Sequence, residues 1–135
     1  MDLSLGMSAS AAGLKAQSMR MRVIAENLAN KDSVATTPGG TPYQRRMVEF
    51  AAELDRASGA MQLKVDGVHT DRAPFVKRYE PGHPMADDEG YVLSSNVNSL
   101  VELTDMSEAQ RSYEANLSSI EAAKALAMRT IDLLR

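Results

Sequence analysis

Between Leu3 and Asn30 the apolar positions fall on two faces of a helix. Read at 100° per residue, Met7, Leu14, Met21 and Leu28 recur every seven, with Leu3, Ile24 and Ala25 beside them. Leu5, Ala12, Ala16, Met19 and Val23 run along roughly the opposite side. Polar strips lie between: Lys15, Ser18, Arg22 and Glu26 on one flank, Arg20 and Asn27 on the other. A surface helix that meets one core carries one apolar stripe. Two stripes call for two partners, one from the same chain and a second from elsewhere.

The far end repeats the design. Ser99 and Glu102 fit a capping box that opens a helix, and the pattern runs without Gly or Pro to the last residue. Met106, Tyr113, Ile120, Ala127 and Leu134 form a heptad seam, flanked by Ala109, Leu117, Ala123 and Ile131. Ala115, Ala122, Leu126 and Leu133 make a lesser stripe on the other side, and Glu114, Glu121 and Asp132 form an acidic strip facing solvent or a basic neighbour. The helices should measure roughly 40 Å and roughly 55 Å. Gly6 and Gly13 each weaken the first by roughly 1 kcal/mol relative to Ala, and Asn30 is expected to end it in a left-handed cap.

Between the helices the periodicity changes. Asp32 to Pro42 is turn chemistry. Tyr43–Phe50, Met61–Val65, Phe75–Tyr79 and Tyr91–Ser94 read as short strands, with turns at Asp66-Gly67 and Glu80-Pro81-Gly82. The chain thus predicts a mainly α fold. Long terminal helices at 1–30 and 96–135 pair as a coiled coil, and a loop with a small β insert fills 31–95. With no other long helix to cover them, the second stripes are expected to meet other subunits. Leu14, Met21, Leu28, Met19, Val23, Met106, Tyr113, Ile120, Leu126 and Leu133 are the packing candidates. Contacts of this kind that do not close on themselves build helical filaments or tubes.

Composition supports a thin or shared core: no Trp, two Phe, four Tyr and nine Met in 135 residues, where aromatics would carry much of the buried area of a compact domain. The net charge of −3 comes without a basic patch, which disfavours nucleic acid as a partner. No apolar run is long enough to span a membrane, and Met1-Asp2 does not open a signal peptide. Zero cysteines exclude disulfides and thiol chemistry. His69 and His83 lack a second ligand at metal spacing, and Asp87-Asp88-Glu89-Gly90 lacks Ca²⁺-loop spacing and reads as a solvated turn. No Gly-x-Ser-x-Gly elbow or phosphate loop is present. No enzyme constellation and no cofactor site emerge.

Two stretches resemble a known family. Ile24-Ala25-Glu26-Asn27-Leu28-Ala29-Asn30-Lys31-Asp32-Ser33, with Asn27, Leu28, Ala29 and Asn30 at its heart, is similar to the N-terminal signature of flagellar basal-body rod, hook and junction proteins. Asn96-Val97-Asn98, Glu102, Met106, Ala109, Arg111, Tyr113, Ala115 and Asn116 resemble the closing helix of that family. Tyr79, Glu80, Pro81 and Gly82, continuing through Asp87 to Gly90-Tyr91-Val92, resemble its proximal-rod branch, whereas residues 51–72 match nothing diagnostic. The resemblance implies a structural subunit of the periplasm-spanning rod, which transmits torque and encloses the export channel. It implies export through the flagellar type III apparatus without a cleaved signal, and contact with its own copies, with the rod subunits FlgB and FlgF and with the junction protein FliE. It also gives Asn27 and Asn30 an expected role: bonding backbone where helix becomes loop, so that Asn27→Ala should harm assembly more than the helicity of the isolated subunit. Other classes remain open to the residues alone. These are an intracellular adaptor binding one helical partner, and a peripheral membrane helix, which the opposed stripes disfavour.

Overall fold

The computed structural model describes residues 3–56 and 59–134. Helix α1 spans Leu3–Ala29, and helix α2 spans Ser99–Leu133. Arg135, to which the sequence pattern carried α2, lies outside the described residues. Strands β1 (Arg46–Asp55) and β2 (Ala60–Thr70) form one two-stranded antiparallel sheet, and β3 (Val76–Tyr79) and β4 (Tyr91–Ser94) form another. In the second sheet Val76 stands opposite Ser94 and Tyr79 opposite Tyr91.

The chain divides into two compact units. One gathers Met1–Met21, Val48–Gly67 and Met106–Arg135; the other gathers Arg22–Met47 and Val68–Asp105. The helices pair antiparallel. In the first unit Gly13 lies against the Asn116 amide and Arg20 Nη1 pairs with Glu108 at 3.6 Å. In the second, Asn27 of α1 meets Glu102 of α2. The heptad seam of α2 turns inward in part: Ala109 is buried and Met106, Tyr113, Ile120 and Ala127 are half-buried, whereas Leu117, Ile131 and Leu134 of the same seam are 42%, 57% and 83% exposed. Its opposite stripe stays bare, with Leu126 54% and Leu133 87% exposed.

Helix α1 departs from expectation. Its second stripe is covered by its own chain, with Ala16 only 2% and Val23 3% exposed. Val23 is therefore not available to another subunit. In the first unit the neighbour is the long hairpin, which the sequence pattern made too short: Gln62 Nε2 donates to Ser8 Oγ at 2.9 Å, and Ala12 and Ala16 share a groove with strand residues. Asp66-Gly67 is no turn but continuous strand within β2. The two strands meet instead at Gly59, whose amide donates to the Asp55 carbonyl at 2.7 Å and whose φ of 70° is a backbone region that glycine enters freely.

Both helix ends differ in detail. The cap of α2 is Asn98, whose Oδ1 accepts from the amides of Leu100 and Val101 at 3.0 and 3.4 Å. Ser99 is thus the first helical residue, and Glu102 is free to do something other than close a capping box. Asn30 does not adopt a left-handed conformation. Its side-chain amide donates to the Glu26 carbonyl at 2.8 Å, which satisfies a last-turn acceptor without reversing the backbone. The following loop is pinned: Val34 bridges Ser94, and the Ser95 amide donates to the Ser33 carbonyl at 3.2 Å.

Candidate assembly site

An asparagine side chain offers two N–H donors and two acceptor lone pairs, and in Asn27 all four are used. Nδ2 donates to the Arg46 carbonyl at 2.7 Å and to Glu102 Oε2 at 2.9 Å. Oδ1 accepts from the Arg46 amide and from the Tyr43 hydroxyl, both at 2.9 Å. By bonding both the N–H and the C=O of Arg46, the side chain does for the first residue of β1 what a neighbouring strand would do. It is 1% exposed. The position assigned to a polar strip is therefore interior.

Glu102, 0% exposed, is the partner that a turn of helix places opposite. A buried carboxylate is tolerated only when paired and hydrogen-bonded, and Arg45 Nε supplies the second bond. The Arg45 guanidinium also reaches Asp71 Oδ2 at 3.4 Å and Asp105 Oδ2 at 3.3 Å. Burial works against its charge, but the hydrogen bond and field of Glu102, with those of Asp71 behind, outweigh burial and hold its pKa above the ordinary value. Asn96 completes the frame. Its Oδ1 accepts from the Arg45 amide at 2.7 Å, while its Nδ2 donates to the carbonyls of Asp71 and Ala73 at 3.1 and 3.0 Å.

The signature residues thus divide by fate. Asn27 from the first stretch meets Asn96 and Glu102 from the closing stretch around Arg45, so the two motifs are halves of one lock. Asn27 does not act at the helix end. It holds a strand 19 residues further on. Leu28 and Asn30 are half-buried and Ala29 is exposed. Tyr43, Arg45, Arg46 and Asp71 were not singled out by the sequence reading, which placed the first three in a strand from Tyr43 to Phe50 and gave Asp71 no role.

The subtype motif forms a second structured element. Tyr79 and Tyr91 pack edge to face with centroids 5.2 Å apart, and the turn at Pro81-Gly82 is closed by the His83 amide donating to the Glu80 carbonyl. Asp87 is exposed in its turn and also pins it: its Oδ1 accepts from the amides of Glu89 and Tyr91 at 3.0 and 2.8 Å. Gly90 is buried with φ 84°, and a β-carbon there would stand 3.0 Å from the Tyr79 ring and 3.1 Å from Pro81.

Of the packing candidates, Leu14, Met19, Met21, Leu28, Met106, Tyr113 and Ile120 are partly covered, while Leu126 and Leu133 are open. Among the described residues no group of three or more His, Cys, Asp or Glu is placed to hold a metal, and no helix is long and apolar enough to cross a membrane. The polar cluster directs its bonds at the chain's own backbone and leaves one apolar stripe bare. That arrangement fits an assembly subunit built on paired terminal helices.

Comparison with known proteins carries the class to a family. Residues 88–133 match the family described as flagellar basal body rod FlgEFG protein C-terminal. Over 133 residues the chain is 47% identical to the flagellar basal-body rod protein FlgC of Agrobacterium fabrum, covering 98% of this chain and 96% of that one. It is 40% identical to FlgC of Salmonella typhimurium over 89% of each, and 33% identical to FlgC of Borreliella burgdorferi across 100% of this chain and 99% of that one. The chain belongs to the FlgC family of flagellar basal-body rod proteins. Membership makes it a structural protein of the flagellar basal body that associates with other rod components.

Proposed function

We propose that the chain is a subunit of the proximal, periplasmic part of the rod, stacking laterally through its paired helices into the tube that transmits torque. The observation that carries this reading is the uncovered stripe of α2, which runs from Ala115 to Leu133 with no described segment of the chain over it. Exposed apolar surface of this extent marks a contact with another protein. The neighbours proposed are its own copies, FlgB, FlgF and FliE, reached after passage through the flagellar type III export apparatus without cleavage.

The test is photo-crosslinking in living cells with the probe at Ala122. Crosslinks to rod subunits in the envelope fraction support the reading. Crosslinks confined to one cytosolic partner turn it to the adaptor.

A further inference from the structure

The first unit holds a groove of about 700 Å³ between α1 and the tip of the long hairpin. Its apolar lining comes from Ala12, Ala16, Leu54, Leu63 and Val65, and Leu54 and Leu63 remain exposed to it. Lys15 and Arg56 also line it. Lys64 is paired with Glu53 at 2.6 Å, but neither Lys15 nor Arg56 has an ion pair among the described residues. The groove has an apolar floor, and its wall carries Lys15, Arg56 and the Lys64–Glu53 pair together with Asp55, whose Oδ2 accepts from Gln62 Nε2 at 3.3 Å.

The same unit carries the complementary shape and charge elsewhere. On α2 the bare stripe Ala115, Ala122, Leu126, Leu133 has an acid immediately before three of its four members: Glu114, Glu121 and Asp132. One residue is 100° around a helix, so these carboxylates run alongside the apolar stripe. All three are exposed and unpaired among the described residues. The ridge carries three carboxylates with Arg111 and Arg129 on the same flank, and the groove carries Lys15, Arg56 and Lys64 with Glu53 and Asp55, so each rim has an excess of one charge and the two are opposite in sign.

We infer that this groove receives the α2 stripe of a second copy of the chain, with Leu126 and Ala122 entering between Leu54 and Leu63 and the acidic strip meeting Lys15 and Arg56. The inference rests on the rod-subunit reading and specifies one contact within it. Groove and ridge are different patches of one surface, so the contact is heterologous: each copy offers a ridge to one neighbour and a groove to the next, and such a contact does not close in a two-fold dimer. Rim charges of this sort guide register and rate of association more than affinity.

The chain's lack of cysteine makes the test clean. Leu63→Cys and Leu126→Cys chains are expressed together in cells lacking the natural copy, basal bodies are isolated, and the thiols are oxidised. A disulfide-linked dimer that neither variant forms alone is expected. Leu54→Cys with Ala122→Cys serves as a second pair should one substitution disturb folding. Charge reversal gives an independent readout: Lys15→Glu with Arg56→Glu lowers swarming, and adding Glu114→Lys with Glu121→Lys restores it. Chains found in basal bodies with no dimer from either pair and no charge rescue overturn the inference and leave the rod reading standing. A disulfide from the Leu63→Cys thiol to a different protein overturns the choice of a second copy. Absence of the unmodified chain from basal bodies overturns the rod reading itself.

Discussion

Asn27 on α1 and Glu102 on α2, 75 residues apart in sequence, meet at 2.9 Å with almost no solvent access to either. Replacing Asn27 with Ala strips Glu102 of one of its two donors and leaves both backbone groups of Arg46 without that partner. Each buried polar group left unsatisfied costs about 1–3 kcal/mol, more where charged, so Asn27→Ala is expected to lose at least about 3 kcal/mol in urea titration. Because the role is internal, helicity and assembly should decline together, in contrast to the selective assembly defect expected from sequence. A variant that melts like the parent yet fails to assemble would restore the selective role.

Glu102→Ala is expected to cost about 3–5 kcal/mol, since it removes one partner of a buried charge pair. Glu102→Gln keeps the shape and one hydrogen-bond acceptor and should cost clearly less. Thermal melts of the parent and both variants side by side measure the difference; equal melting temperatures for the two variants would mean that the shape and acceptor kept by Gln contribute nothing, and a Gln variant that melts like the parent would mean the charge contributes nothing.

Tyr43 sets an alkaline limit. Burial, opposed by Arg46 and reinforced by Glu26 and Glu102, raises its pKa above the ordinary 10.0. The group keeps its proton in the folded chain after the unfolded chain has lost it. Its contribution is therefore fully present below pH 10 and is lost as pH rises through the folded value. The urea midpoint of the parent should fall faster above pH 10 than that of Tyr43→Phe, which starts lower for want of the bond to Asn27. Parallel pH profiles would contradict this.

Gly90→Ala forces a side chain into φ 84° and against Tyr79 and Pro81. A cost of about 1–3 kcal/mol is expected for the strained backbone alone. Hydrogen exchange should show the loss concentrated at Tyr91 to Ser94; an undisturbed β3–β4 pair would count against it.

Gly13 gives a coupled pair. A β-carbon there would meet the Asn116 amide at 2.8 Å, so Gly13→Ala alone gains little of the roughly 1 kcal/mol that helix propensity offers. In an Asn116→Ala background the gain should emerge in full. Additive effects in the double-mutant cycle would deny the contact.

The helices were legible because their signal is periodic and local: the seam through Met106, Tyr113 and Ile120 predicts which side of α2 is covered. The long hairpin was half-seen. Its turn sits at Gly59, where little flanking alternation marks it, while Asp66-Gly67 mimics a turn inside a strand that pairing holds straight. The lock was hidden for a different reason. Arg45 finds Asn96 and Glu102 from 51 and 57 residues away, and no spacing rule reaches that far. Glu102 also satisfied a local pattern, the capping box, which Asn98 made unnecessary.

The lock has a consequence for the order of events in a cell. Residue 27 is synthesised 75 residues before its partner, so at about 5–20 residues per second it waits roughly 4–15 s for residue 102 to appear. Until then Asn27 can bond Tyr43 and Arg46, but its second N–H and the Arg45 guanidinium lack Glu102, and loop closure over such a span is slow as well as late. A nascent chain of this design cannot finish folding from its front end. The lock closes only once the last third of the chain exists.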